Sequence, residues 1–104
     1  MTVSISKLAH KNIDSIYRYI AERSLQYANK TILEIYKYIY DLAASPYIGR
    51  YVPEFKNKTF RERIYKNYRI IYFVLDKENL VGIVSIVHTR RDLMEISSFK
   101  FNEF

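Results

Sequence analysis

The stretch from Tyr68 to Leu75, YRIIYFVL, is apolar or aromatic at every position but Arg69. A surface helix or a half-exposed strand interrupts such a run with polar residues at its own period; a strand covered on both faces does not. The stretch therefore reads as a central strand, and the rest of the chain has to supply a neighbour on each side and a layer over each face. On its N-terminal side, Thr59 to Tyr65 alternates, with Phe60, Glu62 and Ile64 on one side and Arg61, Arg63 and Tyr65 on the other. Lys66–Asn67 is a tight turn between the two strands. Asp76 to Asn79 turns the chain back again, and Leu80 to Val87 is the last strand of a meander.

The N-terminal half reads as helix. Val3 and Ile5 alternate in a short first strand, and Ser6 can cap a helix behind it. Ala9, Ile13, Ile16 and Ile20 recur at spacings of four, three and four, one apolar stripe on a helix. Ser24 interrupts the pattern, and Ala28, Ile32, Ile35, Ile39 and Leu42 form the stripe of a second helix. A short connection makes the two an antiparallel hairpin. Ser45–Pro46 ends the second helix, since a residue before proline avoids the helical region. Tyr47 to Phe55 is a loop with Gly49 and Pro53, and Leu93 to Phe104 is a short helix or a tail. The fold class is α+β: one domain over residues 1–104, in the order β-α-α-β-β-β, with the helical hairpin packed on an antiparallel sheet.

A chain of 104 residues, 49% hydrophobic, can bury one core. It has no cysteine, which excludes disulfides and thiolate metal sites and fits a reducing cytoplasm. The opening MTVSISKLAHKNID has no long apolar region and is read as carrying no secretory signal. The longest apolar run, Ile70 to Leu75, is far too short to cross a bilayer.

The formal charge of +6 is concentrated. Lys56, Lys58, Arg61, Arg63, Lys66 and Arg69 face only Glu62 within their stretch, an excess that attracts phosphates or acidic protein surfaces. The last strand, VSIVHTRRDL, also runs directly into His88, Arg90 and Arg91. Arg61 and Arg63 share a strand face, Arg69 lies early on the next strand, and Arg90 follows the third. With the helices on the other side of the sheet, these guanidinium groups would converge on its open face, where their planar forks suit phosphate. The same spacing also fits ordinary exposed residues. His88 is the best acid–base candidate, and its position equally fits a strand-end histidine hydrogen-bonded to backbone. His10 on the first helix reads as a surface residue, and Glu54 and Glu62 as solvated side chains.

The segments IDSIYRYIAERS, SPYIGRYVPEF, FRERIYKNYRIIYFV and IVHTRRDL together resemble the RelE/ParE superfamily of type II toxins, the growth-arresting halves of toxin–antitoxin pairs. The resemblance spans Val3 to Leu93 and implies the fold just described, a cognate antitoxin, no cofactor and no metal. RelE-like members cut messenger RNA on the ribosome. For them the resemblance places Arg61 and Arg63, Arg69 and Arg90 at the phosphate, with Arg69, His88 and Arg90 as the catalytic set. ParE-like members poison DNA gyrase. The run His88-Thr89-Arg90-Arg91-Asp92-Leu93-Met94 is similar to a C-terminal pattern of some of these, with Asp92 partnering an arginine and Leu93–Met94 anchoring the tail. The region beyond the last strand, DLMEISSF, lacks the tyrosine or second histidine common in the nucleases.

The ParE-like reading is therefore preferred, with plasmid stabilisation as the associated role. A ribosome-dependent nuclease is the first alternative, and an inactive antitoxin-binding member the second. Arg61, Arg63, Lys56, Lys58 and Arg91 are the expected target-binding residues. The antitoxin segment should be acidic and amphipathic, folding on contact.

Overall fold

Ser6 closes the first strand and opens the first helix with a single hydroxyl. Its Oγ accepts from the backbone N–H of Ala9 at 3.0 Å and donates to the carbonyl of Val84, 2.6 Å away in the last strand. Cap and sheet are thereby tied together at a buried point. The computed structural model describes residues 1–56, 58–89 and 104. Its elements are β1 (Thr2–Ile5), α1 (Lys7–Ala21), α2 (Leu25–Tyr40) followed by a 3₁₀ turn at Asp41–Ala43, β2 (Arg50–Tyr51), β3 (Arg61–Tyr65), β4 (Tyr68–Leu75) and β5 (Leu80–His88).

The sheet runs β1-β5-β4-β3-β2. Strands β3, β4 and β5 are the antiparallel meander that the sequence implies, with Lys66–Asn67 joining Tyr65 to its register partner Tyr68. Two features go beyond the sequence reading. β1 lies parallel to β5, so the five-stranded sheet is mixed. A two-residue strand, β2, forms within the stretch read as loop and pairs with Glu62 and Arg61 of β3. β3 itself starts at Arg61 rather than Thr59. Phe60 instead makes edge contacts with the rings of Phe55 and Phe73.

β4 is covered on both faces, as its composition requires. Ile70 and Tyr72 meet the helix-side core with Ala9, Ile13, Ile35 and Ile39. Ile71 and Phe73 meet a second core with Val52, Val84 and Val87, closed by Phe55 and Phe60. A register shift between Ile71 and Tyr72 of β4 lets Val84 and Val87 face the same side of β5, three residues apart. The helices bury the predicted stripes. Ser24 does more than interrupt: its side chain accepts from the Tyr27 N–H and caps α2.

Tyr72 is fully buried, and its hydroxyl holds the connection between α2 and β2. It donates to the Pro46 carbonyl at 2.8 Å and accepts from the Gly49 N–H at 2.9 Å. That leaves no room for a side chain at position 49. A β-carbon there would collide with the Glu62 carbonyl and sit 2.6 Å from the Tyr72 hydroxyl. Gly49→Ala should therefore lower the unfolding free energy by about 1–3 kcal/mol, the usual cost of overpacking. Urea denaturation checks this, and an unchanged midpoint would show that the loop does not depend on the tyrosine tether.

Candidate functional site

Glu62 is 1% exposed, on the sheet face away from the helices, and a buried carboxylate has to be paired. Its diagonal neighbour across the β3–β4 hairpin is Arg69, because Glu62 stands opposite Ile71 and Arg69 opposite Ile64. Arg69 Nε donates to Glu62 Oε1 at 2.6 Å. The same guanidinium grips Glu54 with two parallel bonds of 2.7 Å. Glu62 Oε2 accepts from Arg50 Nε at 2.6 Å. The result is a chain of alternating charge, Arg50–Glu62–Arg69–Glu54, which is formally neutral. It joins β2, β3, β4 and the loop at Glu54.

Its energetics are uneven along its length. The Arg69 side chain is 7% exposed and Glu62 wholly buried, whereas Glu54 and Arg50 reach solvent at 51% and 68%. Glu54 is held below the ordinary carboxylate range, first by the hydrogen bonds from Arg69 and against the opposing pull of burial. The same pairing pushes the Arg69 guanidinium further toward its charged form.

The expected convergence of arginines on one open face does not form. Arg61 and Arg63 point to the helix side of β3, with Tyr65, which packs into the helix-side core. Arg69 points to the opposite side. Arg63 donates to the Tyr38 carbonyl at the end of α2 at 2.8 Å and lies 4.1 Å from the centre of the Tyr38 ring, with Asp41 3.8 Å away. Arg61 donates to the Gly49 carbonyl at 2.8 Å and lies over the Tyr51 ring at 4.2 Å. Both guanidinium groups are thus held on aromatic faces and backbone oxygens. Glu62, read as solvated, is one of the most buried side chains, and Glu54, also read as solvated, is bonded twice to Arg69. The alternation of β3 is as expected, and only the face that meets the helices is reversed. An acidic residue between Phe60 and Ile64, with an arginine diagonally opposite in an otherwise apolar strand, was the available signal.

The remaining candidates are dispersed. Lys56 and Lys58 are exposed on the loop before β3, and the Lys58 ammonium lies 5.8 Å from the Tyr51 ring centre. His88 is exposed at the end of β5, edge-on to Tyr68 with ring centroids 6.0 Å apart. The strand end is pinned by the Thr89 N–H, which donates to the Asn67 carbonyl at 2.8 Å. His10 is exposed on α1, as read. Arg90, Arg91, Asp92, Leu93–Met94 and the tail reading lie outside the described residues; the Phe104 ring lies edge-on to Phe73. Among the described residues no three or more His, Cys, Asp or Glu side chains gather to hold a metal ion. No described helix is long and apolar enough to cross a membrane.

Sequence reasoning left the eleven tyrosines without assigned places. Six of them fall into two groups. Tyr38, Tyr47 and Tyr51 are platforms for Arg61 and Arg63. Tyr19, Tyr27 and Tyr68 line a cavity between the helical hairpin and the β3–β4 turn.

Comparison with known proteins places this geometry. A family model described as the ParE toxin of the type II toxin–antitoxin system parDE matches residues 3–93. No curated protein matches. Among solved structures, the chain is similar to the chromosomal ParDE toxin–antitoxin system from P. aeruginosa, at 18% identity and a TM-score of 0.70, covering 86% of this chain and 97% of the other. It is similar to the toxin–antitoxin complex RelBE2 from Mycobacterium tuberculosis, at 17% identity and a TM-score of 0.63, covering 84% and 95%. It also resembles the isolated E. coli RelE toxin, at 15% identity and a TM-score of 0.60, covering 92% of each chain. At these identities the likeness is one of fold.

The depressed Glu54 pKa fixes the direction of one pH effect. The Glu54–Arg69 pairing stabilises the fold fully above the unfolded carboxyl value of about 4.5, and that contribution is lost as pH falls through the lower folded value. Glu54→Gln should cost about 1 kcal/mol at neutral pH, kept small because half of the side chain meets solvent. It should also flatten the loss of stability below pH 4.5. Urea unfolding from pH 7 to pH 2 measures both, and identical acid limbs in the two proteins would contradict the pairing.

Proposed function

Because this chain belongs to the ParE toxin family of type II toxin–antitoxin systems, we propose that it arrests growth in the cytoplasm by poisoning DNA gyrase and that a cognate antitoxin keeps it silent. The observation that supports gyrase over messenger RNA is the state of the arginines. Cleavage at a phosphate needs cations free to meet the charge that develops on it. Arg69 is enclosed and neutralised by Glu62 and Glu54. Arg61 and Arg63 lie across the sheet from it, committed to tyrosine rings and backbone carbonyls. A nuclease assembled from the described residues would have His88 without an arginine cluster around it. A gyrase poison acts through a binding surface and needs no such cluster.

The outer side of α2 supports the antitoxin. Leu33 and Tyr40 are exposed there at 71% and 55%, beside the exposed Lys30 and Lys37. Large exposed apolar side chains bordered by lysines suit an amphipathic segment with acidic flanks.

The direct test adds purified protein to gyrase with supercoiled plasmid and, separately, to a translating extract. Cleaved plasmid–gyrase complexes should accumulate, and messenger RNA in the extract should stay intact. Codon-phased cuts in the messenger would overturn the proposal in favour of a ribosome-dependent nuclease. Neither effect, with no growth arrest on expression, would mark an inactive member.

A further inference from the structure

The cavity between the helical hairpin and the β3–β4 turn has a volume of about 310 Å³ and is built unlike a simple apolar groove. Tyr19, Tyr27 and Tyr68 are among its lining residues. Thr31, on α2, also lines the cavity and is only 2% exposed, and its hydroxyl has no hydrogen-bond partner among the described residues. A buried hydroxyl left unpaired is uncommon and calls for an explanation.

Two cations stand at the solvent side. The Arg23 guanidinium lies 5.9 Å from the Tyr19 ring centre and the Lys66 ammonium 5.3 Å from that of Tyr27. Both residues are exposed, and neither joins a salt bridge among the described residues. The site is therefore graded, from the buried Thr31 hydroxyl, through aromatic side chains, to two cations outside any salt bridge of the described residues at the mouth.

The geometry points to a nucleotide-binding site: a base held between the tyrosines, its edge hydrogen-bonded to Thr31, its phosphate met by Arg23 and Lys66. A hydrocarbon anchor would fill the same volume but leave the Thr31 hydroxyl orphaned. A base carries ring nitrogens and exocyclic groups that satisfy it, and its flat face stacks on tyrosine whatever the sequence. A phosphate would also give Arg23 and Lys66 a direct ionic partner, which neither has in a salt bridge among the described residues; Glu34 acts on Lys66 only from further off. A second cavity of about 520 Å³ adjoins this one, shares Tyr19, Asn67 and Tyr68 with it, and runs along α1 and β5 to His88. It gives a single strand somewhere to continue, so the nucleotide is either free or part of a single-stranded nucleic acid. The inference does not depend on the gyrase reading, and either can fail alone.

The test titrates the isotope-labelled full chain with 5′-AMP, 5′-GMP, a short single-stranded oligonucleotide, the unphosphorylated nucleosides and N-acetylphenylalanine, following backbone amide shifts by NMR. Nucleotides should give saturable shifts centred on Thr31, Asn67 and Tyr68 that weaken with salt. Tighter binding of the oligonucleotide identifies a strand as the natural source, and equal binding identifies the free nucleotide. Thr31→Val removes the hydroxyl without changing the side chain's shape and should weaken binding about fivefold. Arg23→Gln, at an exposed position, should weaken nucleotides and leave nucleosides unaffected. Absence of shifts at millimolar nucleotide would overturn the assignment. So would affinities that neither variant changes, or N-acetylphenylalanine binding as well as the nucleotides do.

Discussion

The buried pair between Glu62 and Arg69 is the interaction around which the open side of the sheet is organised. Two opposite charges set diagonally across a two-residue hairpin can leave water only together, and their pairing fixes which faces of β3 and β4 turn from the helices. Once Arg69 points that way, Ile70 and Tyr72 must meet the helices, and Ile71 and Phe73 must find a second core. The loop carrying Val52, Phe55 and Phe60 supplies that core, and Glu54 from the same loop closes on Arg69. The pair also consumes the cation that a phosphate-cleaving site would need.

The consequence for function is one of charge distribution rather than charge total. The chain carries +6, but the described arginines of the sheet are spent on structure: two inside a neutral charge chain, two on tyrosine faces. Exposed basic groups outside the salt bridges of the described residues lie instead on the lysines of α2, around Glu34, and at the tyrosine cavity. Under the proposed function, a protein of this kind acts by what it binds. For that reading the structure offers at least two separate surfaces: the outer side of α2 and the cavity beneath the hairpin turn.

Much of the architecture was legible in the sequence because it rests on periodicity. The apolar stripes of α1 and α2, the Ser6 cap, the two turns of the meander and the double coverage of β4 all follow from residue spacing. The orientation of β3 was not legible, because neither of its faces is cleanly apolar. One carries Phe60, Glu62 and Ile64, the other Arg61, Arg63 and Tyr65. Arginine stacked on tyrosine can pass for core, and a paired carboxylate can be buried outright, so polarity alone points the wrong way. The parallel docking of β1 and the brief β2 strand depend on contacts distant in sequence. The Thr31 hydroxyl became visible as unpaired only once the helices and the hairpin turn were brought together.

Replacing the pair as a whole separates its structural part from any part in toxicity. Glu62→Leu or Arg69→Met alone leaves the other buried charge with only its solvent-reaching partner, Glu54 or Arg50, at a cost of up to about 3–5 kcal/mol. The double variant removes both charges at once and leaves Glu54 and Arg50 free to reach solvent. If Arg69 serves structure alone, the double variant folds cooperatively and still arrests growth when expressed without antitoxin. A folded double variant that leaves growth unaffected would assign Arg69 to the toxic activity itself and contradict the account.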